Sequence, residues 1–285
     1  MSRPLWSRLN PFGPKDPQVA VVRLHGPIGG GSSFRQGLSI DRLEAPLRAA
    51  FASRRTTAVA LSINSPGGSP VQSDLIKSRI EALAREFDKP VTAFTEDLCA
   101  SGGYWIALGA DEIIAHPSSI VGSIGVITAG FGLQEAISKL GIERRVYTKG
   151  TSKGMLDPFQ AEKPDDVARL DDLLQDLYES FKDTVRRRRV TKLKGDEDEL
   201  FSGAVWTGTR ALENGLVDGL GELRGVMRQR YGEDVRFRRY GPARSLWQRL
   251  RRGTDFGGPA GEAPSLAHSL IAAVEERLLW NRFGL

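Results

Sequence analysis

Residues 90–115, PVTAFTEDLCASGGYWIALGADEIIA, decide the fold because two strand patterns flank a helix pattern there. Pro90–Thr95 and Glu112–Ala115 are short apolar runs of the kind that form buried strands. Between them, Ser101–Ala110 is an apolar segment with a glycine pair near its start, and we predict a short helix there. The stretch therefore predicts a strand–helix–strand unit, with Ser101 at the turn from the first strand to the helix.

The same alternation extends towards the N-terminus. Val19–Leu24 and Ala58–Ile63 predict two more buried strands, while Ile40–Phe51 and Ser69–Phe87 carry apolar residues at helical spacing. Strands that alternate with helices of roughly 10 to 18 residues are typical of parallel βα units. The pattern predicts a domain of the α/β class.

A long helix is predicted towards the C-terminus. Pro164–Val190 carries an apolar stripe that includes Phe181 and Val185, and it ends in the arginine run Arg186–Arg189. We interpret these arginines as a solvated helix end, because cations at a helix C-terminus also interact favourably with the helix dipole.

Two changes of composition divide the chain. Residues 1–16 contain several prolines that prevent a regular element, and they are predicted to form an N-terminal tail. Residues 17–240 form the main domain. Residues 241–285 combine a basic amphipathic segment, a linker rich in glycine and proline, and a C-terminal helix. We expect this appendage to pack on its own domain or on a neighbouring subunit, with peripheral contact to an anionic membrane surface as the alternative.

The composition excludes several classes of protein. Hydrophobic residues make up 40% of the 285 residues and charged residues 26%, which is typical of a folded globular protein. The net charge of +5 is spread along the chain without a nucleic-acid-binding motif, so no nucleic-acid partner is expected. A single cysteine, Cys99, excludes an intramolecular disulfide, and we predict neither a metal nor a cofactor.

No segment approaches the length of a membrane-spanning helix. We expect a cytoplasmic protein, with peripheral attachment at the inner face of the membrane as the alternative.

A serine nucleophile needs a general base, and the histidines of this chain are poor candidates. His25 ends a predicted strand, His116 precedes a proline, and His268 lies in the C-terminal appendage. Lysine can replace histidine if burial lowers its pKa from about 10.4 to roughly 7 or 8. Lys153 is followed by the largely apolar segment Gly154–Phe159, which could provide such burial. The alternative is an ordinary exposed loop lysine.

Five motifs in order along the chain resemble the signal peptide peptidase A group, peptidase family S49. They are Asn64–Ser69 (NSPGGS), Ala100–Tyr104 (ASGGY), Gly122–Val126 (GSIGV), Lys149–Phe159 and Ala204–Gly219. The resemblance spans about residues 18–235. It implies a fold like that of the Clp proteases and crotonases, a superhelix of repeated ββα turns, here with a C-terminal helical appendage. It also implies that residues 17–240 are a peptidase catalytic domain.

The resemblance implies that Ser101 is the nucleophile and Lys153 the general base. Acyl transfer further needs two N–H donors for its oxyanion. Gly102, directly after the nucleophile, and Gly68, in the glycine pair of the first motif, are the candidates, although that pair is alternatively a plain turn. Ser123 is a candidate to orient the lysine amine, with a helix-capping role as the alternative. The aromatic pair 104–105 is predicted to pack in the core rather than to bind substrate.

The predicted function is that of a serine endopeptidase. Its expected substrates are apolar peptides, such as signal-peptide remnants, or membrane-associated proteins. The resemblance also implies a homo-oligomeric ring, in which the lysine of one protomer serves the serine of the next. Two alternatives remain, which are a crotonase-like acyl-CoA enzyme with acidic residues in place of the dyad, and a noncatalytic scaffold.

Overall fold

The computed structural model describes residues 17–29, 37–150, 152–241, 280, 281 and 283. The predicted tail at residues 1–16 lies outside the described residues. So does nearly all of the predicted appendage at residues 241–285, including the basic segment, the linker and most of the C-terminal helix.

Strands and helices alternate along the first half of the chain, as the sequence predicts. In chain order the elements are β1 (Gln18–His25), α1 (Ile40–Ala52), β2 (Thr56–Ser65), α2 (Pro70–Phe87), β3 (Val91–Ala100), α3 (Gly102–Ala107), β4 (Glu112–Ala115), β5 (Ile120–Gly122), α4 (Gln134–Lys139), α5 (Pro164–Arg189), α6 (Glu197–Leu200), β6 (Val205–Thr207), α7 (Gly208–Glu213), β7 (Gly219–Leu220), α8 (Leu223–Tyr231) and β8 (Arg236–Tyr240). The strands predicted at residues 19–24, 58–63, 90–95 and 112–115 are confirmed, and so is the long helix at residues 164–190.

The strands form one mixed sheet in the order β6-β5-β3-β2-β1-β8, with β4 paired to β3 and to β7. All pairs are parallel except β5 with β6, which confirms the α/β class with parallel βα units. Strand β3 has two partners in succession on one side. Thr92–Thr95 pairs with β4, and Leu98–Ala100 pairs with β5. This change of partner brings β5 next to the end of β3, where Ser101 follows.

Both faces of the sheet are covered, as is usual for parallel strands. The main core lies between the sheet and helices α1, α2 and α3, and the end of α5 joins it. A smaller apolar cluster on the other face packs against α8, with Val21, Ala60 and Met227 among its buried members. Because β1, β2 and β3 run parallel in the centre of the sheet, their carboxyl ends meet at one edge.

The interpretation of the arginine run at the end of α5 as a solvated helix end is wrong for Arg189, whereas Arg187 and Arg188 are exposed. Arg189 is only 2% exposed and donates to the Gly215 carbonyl and to Asp218 at 2.7 Å. Arg188 donates to two backbone carbonyls in the turn after α3. The physical reason is periodicity, because Arg189 follows Val185 by one helical turn and therefore lies on the buried stripe.

The segment 126–163 stands largely outside the core. Its one helix, α4, has no buried residue. Its exposed large apolar side chains are Ile127, Phe131, Leu133, Leu140, Ile142, Val146 and Tyr147. Helix α5 also exposes apolar side chains before its buried end, namely those of Val167, Leu173 and Leu177.

Candidate active site

Ser101 occupies a strained turn between β3 and α3. Its backbone has φ 52° and ψ −123°, a conformation that residues other than glycine rarely adopt. Hydrogen bonds hold it on both sides. The Ser101 N–H donates to the Gly122 carbonyl at 2.8 Å, and the Ser101 carbonyl accepts from the Trp105 N–H at 3.0 Å. Strain of this kind concentrates at functional sites, where the surrounding structure enforces it.

The glycine pair of the loop after β2 lies directly against this turn. A Cβ atom on Gly67 would stand 2.7 Å from the Ser101 Cβ and 2.9 Å from the Gly102 nitrogen. Gly67 also has φ 102°, which favours glycine. The close approach of the two backbones therefore requires glycine at position 67.

The N–H groups of Gly68 and Gly102 are both unpaired beside Ser101. Ile28 bridges the loop, since its N–H donates to Gly67 at 2.8 Å and its carbonyl accepts from Ser69 at 2.9 Å. This pattern directs the intervening Gly68 N–H away from Ile28. Within the described part of the chain neither N–H donates a hydrogen bond, and a Cβ on Gly102 would lie 3.3 Å from the Gly68 nitrogen. The structure thus brings the two candidate oxyanion donors together.

Ser123 lies close to this group, directly after the end of β5. It follows Gly122, the hydrogen-bond partner of Ser101, and it has φ 53°. Its N–H donates to the Ala204 carbonyl at 2.7 Å. It caps no helix, so the alternative role of a capping serine is not observed at this position.

Lys153 is the one candidate that the fold of a single chain does not bring to Ser101. It lies in the exposed segment 126–163, and its side chain faces solvent. Its backbone N–H donates to the Gly150 carbonyl at 3.2 Å. Among the described residues, its amine has no hydrogen-bond or ion-pair partner, and neither Ser101 nor Ser123 contacts it.

The aromatic pair after the glycines packs in the core, as predicted. Tyr104 is buried and donates its hydroxyl hydrogen to the Leu216 carbonyl at 2.7 Å. Trp105 stacks on Phe181 with ring centroids 4.5 Å apart. These contacts fix α3, and with it the turn that holds Ser101.

A second polar cluster, which the sequence analysis did not identify, lies on the α8 face of the sheet. His25 Nε2 is 2.8 Å from Ser62 Oγ and 3.3 Å from Glu96 Oε1, and the Ser62 hydroxyl donates to Glu96. Arg23 donates to His25 Nδ1 at 2.8 Å. We call these four residues the His25 cluster. It borders a cleft of about 340 Å³. The sequence indicates this cluster only weakly, through polar residues in strands that are otherwise apolar.

The His25 cluster is not a catalytic triad. In a triad the serine and the carboxylate bind opposite nitrogens of the imidazole. Here Ser62 and Glu96 both approach Nε2, while Arg23 occupies Nδ1. Ser62 is also only 3% exposed. Among the described residues, neither His25 nor His116 has a hydrogen bond to Ser101.

The pH dependence of folding should reveal the ionised state of Glu96. Its hydrogen bond with His25, followed by that with Ser62, lowers the pKa of Glu96 from 4.5 to about 2. A depressed carboxyl pKa stabilises the fold above pH 4.5, and this contribution is lost as the pH falls towards 2. Since the side chain is 46% exposed, solvent screening limits the effect to about 1 kcal/mol. Chemical denaturation at several pH values measures this contribution as the difference in the free energy of unfolding between wild type and Glu96→Gln. A difference that stays constant from pH 6 to pH 2 would contradict this assignment.

The described residues hold neither a group of three or more histidine, cysteine or acidic side chains suited to a metal ion nor a helix long and apolar enough to cross a membrane.

The chain matches a peptidase family, a protease and a protein named as an antiporter. A profile of peptidase family S49 matches residues 84–233. The chain is 50% identical over 288 residues to a Brucella abortus protein named Na(+)/H(+) antiporter NhaA, covering 99% of this chain and 39% of that protein. It is 35% identical over 214 residues to Protease 4 of Haemophilus influenzae, covering 72% of this chain and 33% of that protein. The chain thus spans well under half the length of these relatives.

Many solved structures are similar to this chain. One of them is a serine-to-alanine mutant of the 1510-N membrane-bound stomatin-specific protease, with a TM-score of 0.51. The match covers 80% of this chain and 100% of that chain, at 16% identity. At this level of identity the likeness concerns the fold alone.

Proposed function

The chain belongs to peptidase family S49, with a fold of the Clp protease and crotonase type, and from this we propose that it is a serine endopeptidase that uses a Ser101–Lys153 dyad. One observation carries the proposal. The strained Ser101 turn lies beside two unpaired N–H groups, those of Gly68 and Gly102. A nucleophile next to two converging donors is the arrangement that acyl transfer requires.

The proposed reaction has two stages. In the first, Ser101 Oγ attacks the scissile carbonyl while the neutral amine of Lys153 accepts the hydroxyl proton. The N–H groups of Gly68 and Gly102 donate to the oxyanion of the tetrahedral intermediate. Lys153 then returns the proton to the departing amine, which leaves an ester on Ser101. In the second stage, water gives its proton to Lys153 and attacks this ester, and collapse of the intermediate returns the proton to Ser101 Oγ.

We propose that Lys153 reaches Ser101 from a neighbouring protomer of a homo-oligomeric ring. The position of Lys153 on the exposed segment 126–163, without a contact to its own Ser101, supports this arrangement. So do the apolar side chains exposed on that segment and on the first half of α5, because soluble monomers rarely expose large apolar patches. Docking between protomers would remove the lysine amine from water, and desolvation favours its neutral, proton-accepting form.

We propose apolar peptides and membrane-associated proteins as substrates, met at the inner face of the membrane. One of the compared proteins, the 1510-N membrane-bound stomatin-specific protease, carries a name that refers to a membrane. Ion transport is not extended to this chain. The match covers only 39% of the antiporter relative, and residues 84–233, which lie within that match, also match the peptidase profile.

Labelling with a serine-directed fluorophosphonate tests this function. We expect mass spectrometry to find one adduct, on Ser101, and we expect Lys153→Met to slow its formation at least 100-fold, because the hydroxyl then lacks a base. Ser118→Ala, which removes a serine hydroxyl from the loop before β5, serves as the control and should label like wild type. An assembled wild-type protein that gains no adduct would favour a crotonase-like enzyme or a noncatalytic scaffold.

A further inference from the structure

The His25 cluster lies near the carboxyl ends of three adjacent parallel strands. His25 is the last residue of β1, and Ser62 precedes the end of β2 by three residues. Glu96 lies where β3 passes from its pairing with β4 to its pairing with β5. The side chains of this cluster therefore connect the three strands across the sheet, in addition to their backbone hydrogen bonds.

Each of these strands leads directly into the candidate active site. β1 continues to Ile28, whose backbone pairs with Gly67 and Ser69. β2 continues to Gly68, and β3 continues to Ser101. The His25 cluster thus stands at the common base of the segments that carry the nucleophile and one candidate oxyanion donor.

Hydrogen bonds also connect the His25 cluster to β5. The hydroxyl of Ser119 donates to the Glu96 carbonyl, and Thr95 donates to that hydroxyl at 2.9 Å. Ser119 directly precedes β5, whose Gly122 carbonyl accepts the Ser101 N–H at 2.8 Å. The backbone at Glu96 is therefore linked to the Ser101 turn through β5 as well as through β3.

The donors and acceptors of the cluster fit only one arrangement of protons. Arg23 can only donate, so His25 Nδ1 accepts from it and the proton of the neutral imidazole lies on Nε2. That proton points to Ser62 Oγ and to Glu96, and the Ser62 hydroxyl donates to the Glu96 carboxylate. Each polar side chain then has a partner of the opposite kind. A polar network satisfied in this way holds its elements in one arrangement, and a network that loses a member does so less well.

We propose that His25, Ser62 and Glu96 are positioning residues of the peptidase reaction, which fix the Gly68 N–H relative to Ser101 Oγ. The inference rests on the proposed function, since it assigns these residues a role in the same site. A misplacement of reacting groups by about 1 Å can cost 100-fold in rate without loss of substrate binding. We therefore expect variants of the cluster to lose kcat and to keep KM.

The test uses the full chain in its assembled form and a fluorogenic apolar peptide. We expect Glu96→Gln and Ser62→Ala each to lower kcat 10- to 100-fold, with KM within about twofold of wild type. We expect Ser62→Thr, which keeps the hydroxyl, to recover most of the rate. Glu112→Gln is the matched control, because Glu112 lies on β4 in an ion pair with Arg230 and outside the cluster. Each kcat is divided by the number of sites that react with the fluorophosphonate.

This normalisation separates positioning from folding. A purely structural role would reduce the number of reactive sites and the melting temperature, but it would leave kcat per site unchanged. The inference is wrong if wild type is active and both Glu96→Gln and Ser62→Ala keep kcat per site within twofold of it. It is also wrong if Ser62→Thr is as slow as Ser62→Ala. If wild type neither cleaves the peptide nor reacts with the probe, the proposed function itself fails, and this inference fails with it.

Discussion

Co-assembly of Ser101→Ala protein with Lys153→Met protein is expected to restore peptide cleavage, although each variant alone loses at least 10,000-fold in kcat. Each variant lacks one member of the dyad, and the members of such a unit do not work singly. In a mixed ring, a protomer that retains Ser101 can lie next to one that retains Lys153. If equal amounts assemble at random, about one quarter of the sites contain both residues, and activity should recover to about one quarter of wild type. Differently tagged chains, expressed together and purified through both tags, provide the mixed assembly for kinetic measurement.

The control for this experiment is co-assembly of Lys153→Met with the double variant that lacks both residues. No site in that mixture contains an intact lysine, so it should remain inactive. Lys153→Arg should not replace the lysine either, because a guanidinium does not release its proton at working pH. If the two single variants form mixed rings that stay inactive, the lysine does not act between protomers.

Gly68→Ala is expected to lower kcat by 100-fold or more. A Cβ atom at this position would collide with the Ile28 carbonyl oxygen and would stand 2.9 Å from the Ile28 nitrogen. The φ of 142° is also rare for any residue with a side chain. The loop therefore has to shift, and the Gly68 N–H moves with it. Loss of one oxyanion donor costs roughly 100- to 1,000-fold in kcat.

Gly232→Ala is the matched control for this prediction. Gly232 also has a positive φ, 93°, but it lies after α8 and nothing stands within 4 Å of its Cβ position. Gly232→Ala therefore shows how alanine at a positive φ affects stability and kcat when no collision occurs near the site. Steady-state kinetics and thermal denaturation of both variants separate the effects. A Gly68→Ala protein with kcat within threefold of wild type would show that the Gly68 N–H is not an oxyanion donor.

Much of the first half of the fold follows from local sequence patterns, because β1 to β4 contain continuous apolar runs and α1 and α2 each carry an apolar stripe. Strand β8, with three arginines among five residues, and helix α4, with no buried residue, carry no such pattern. The glycine pair in NSPGGS and the Ser101 turn are also visible locally, since close approach and a tight turn both require small residues at fixed positions. Arg189 was misjudged from its charge, although its spacing from Phe181 and Val185 already placed it on the buried stripe.

Two other features could not be predicted from local patterns. His25, Ser62 and Glu96 come from three strands that are 37 and 34 residues apart, and only the order of strands in the sheet makes them neighbours. The distance of Lys153 from its own Ser101 has a different cause. A sequence pattern indicates which side chains suit a reaction, but it does not indicate whether they meet within one chain or between two copies.

The exposed position of Lys153 has a consequence for how such a peptidase is regulated. In the proposed assembly, a newly synthesised protomer carries a nucleophile without a base, and it is therefore latent. In such an assembly, proteolysis would begin only when copies meet, so the local concentration of the chain would act as its activator. A cell that makes little of this protein, or that dilutes it along a membrane, would keep it inactive through its low concentration.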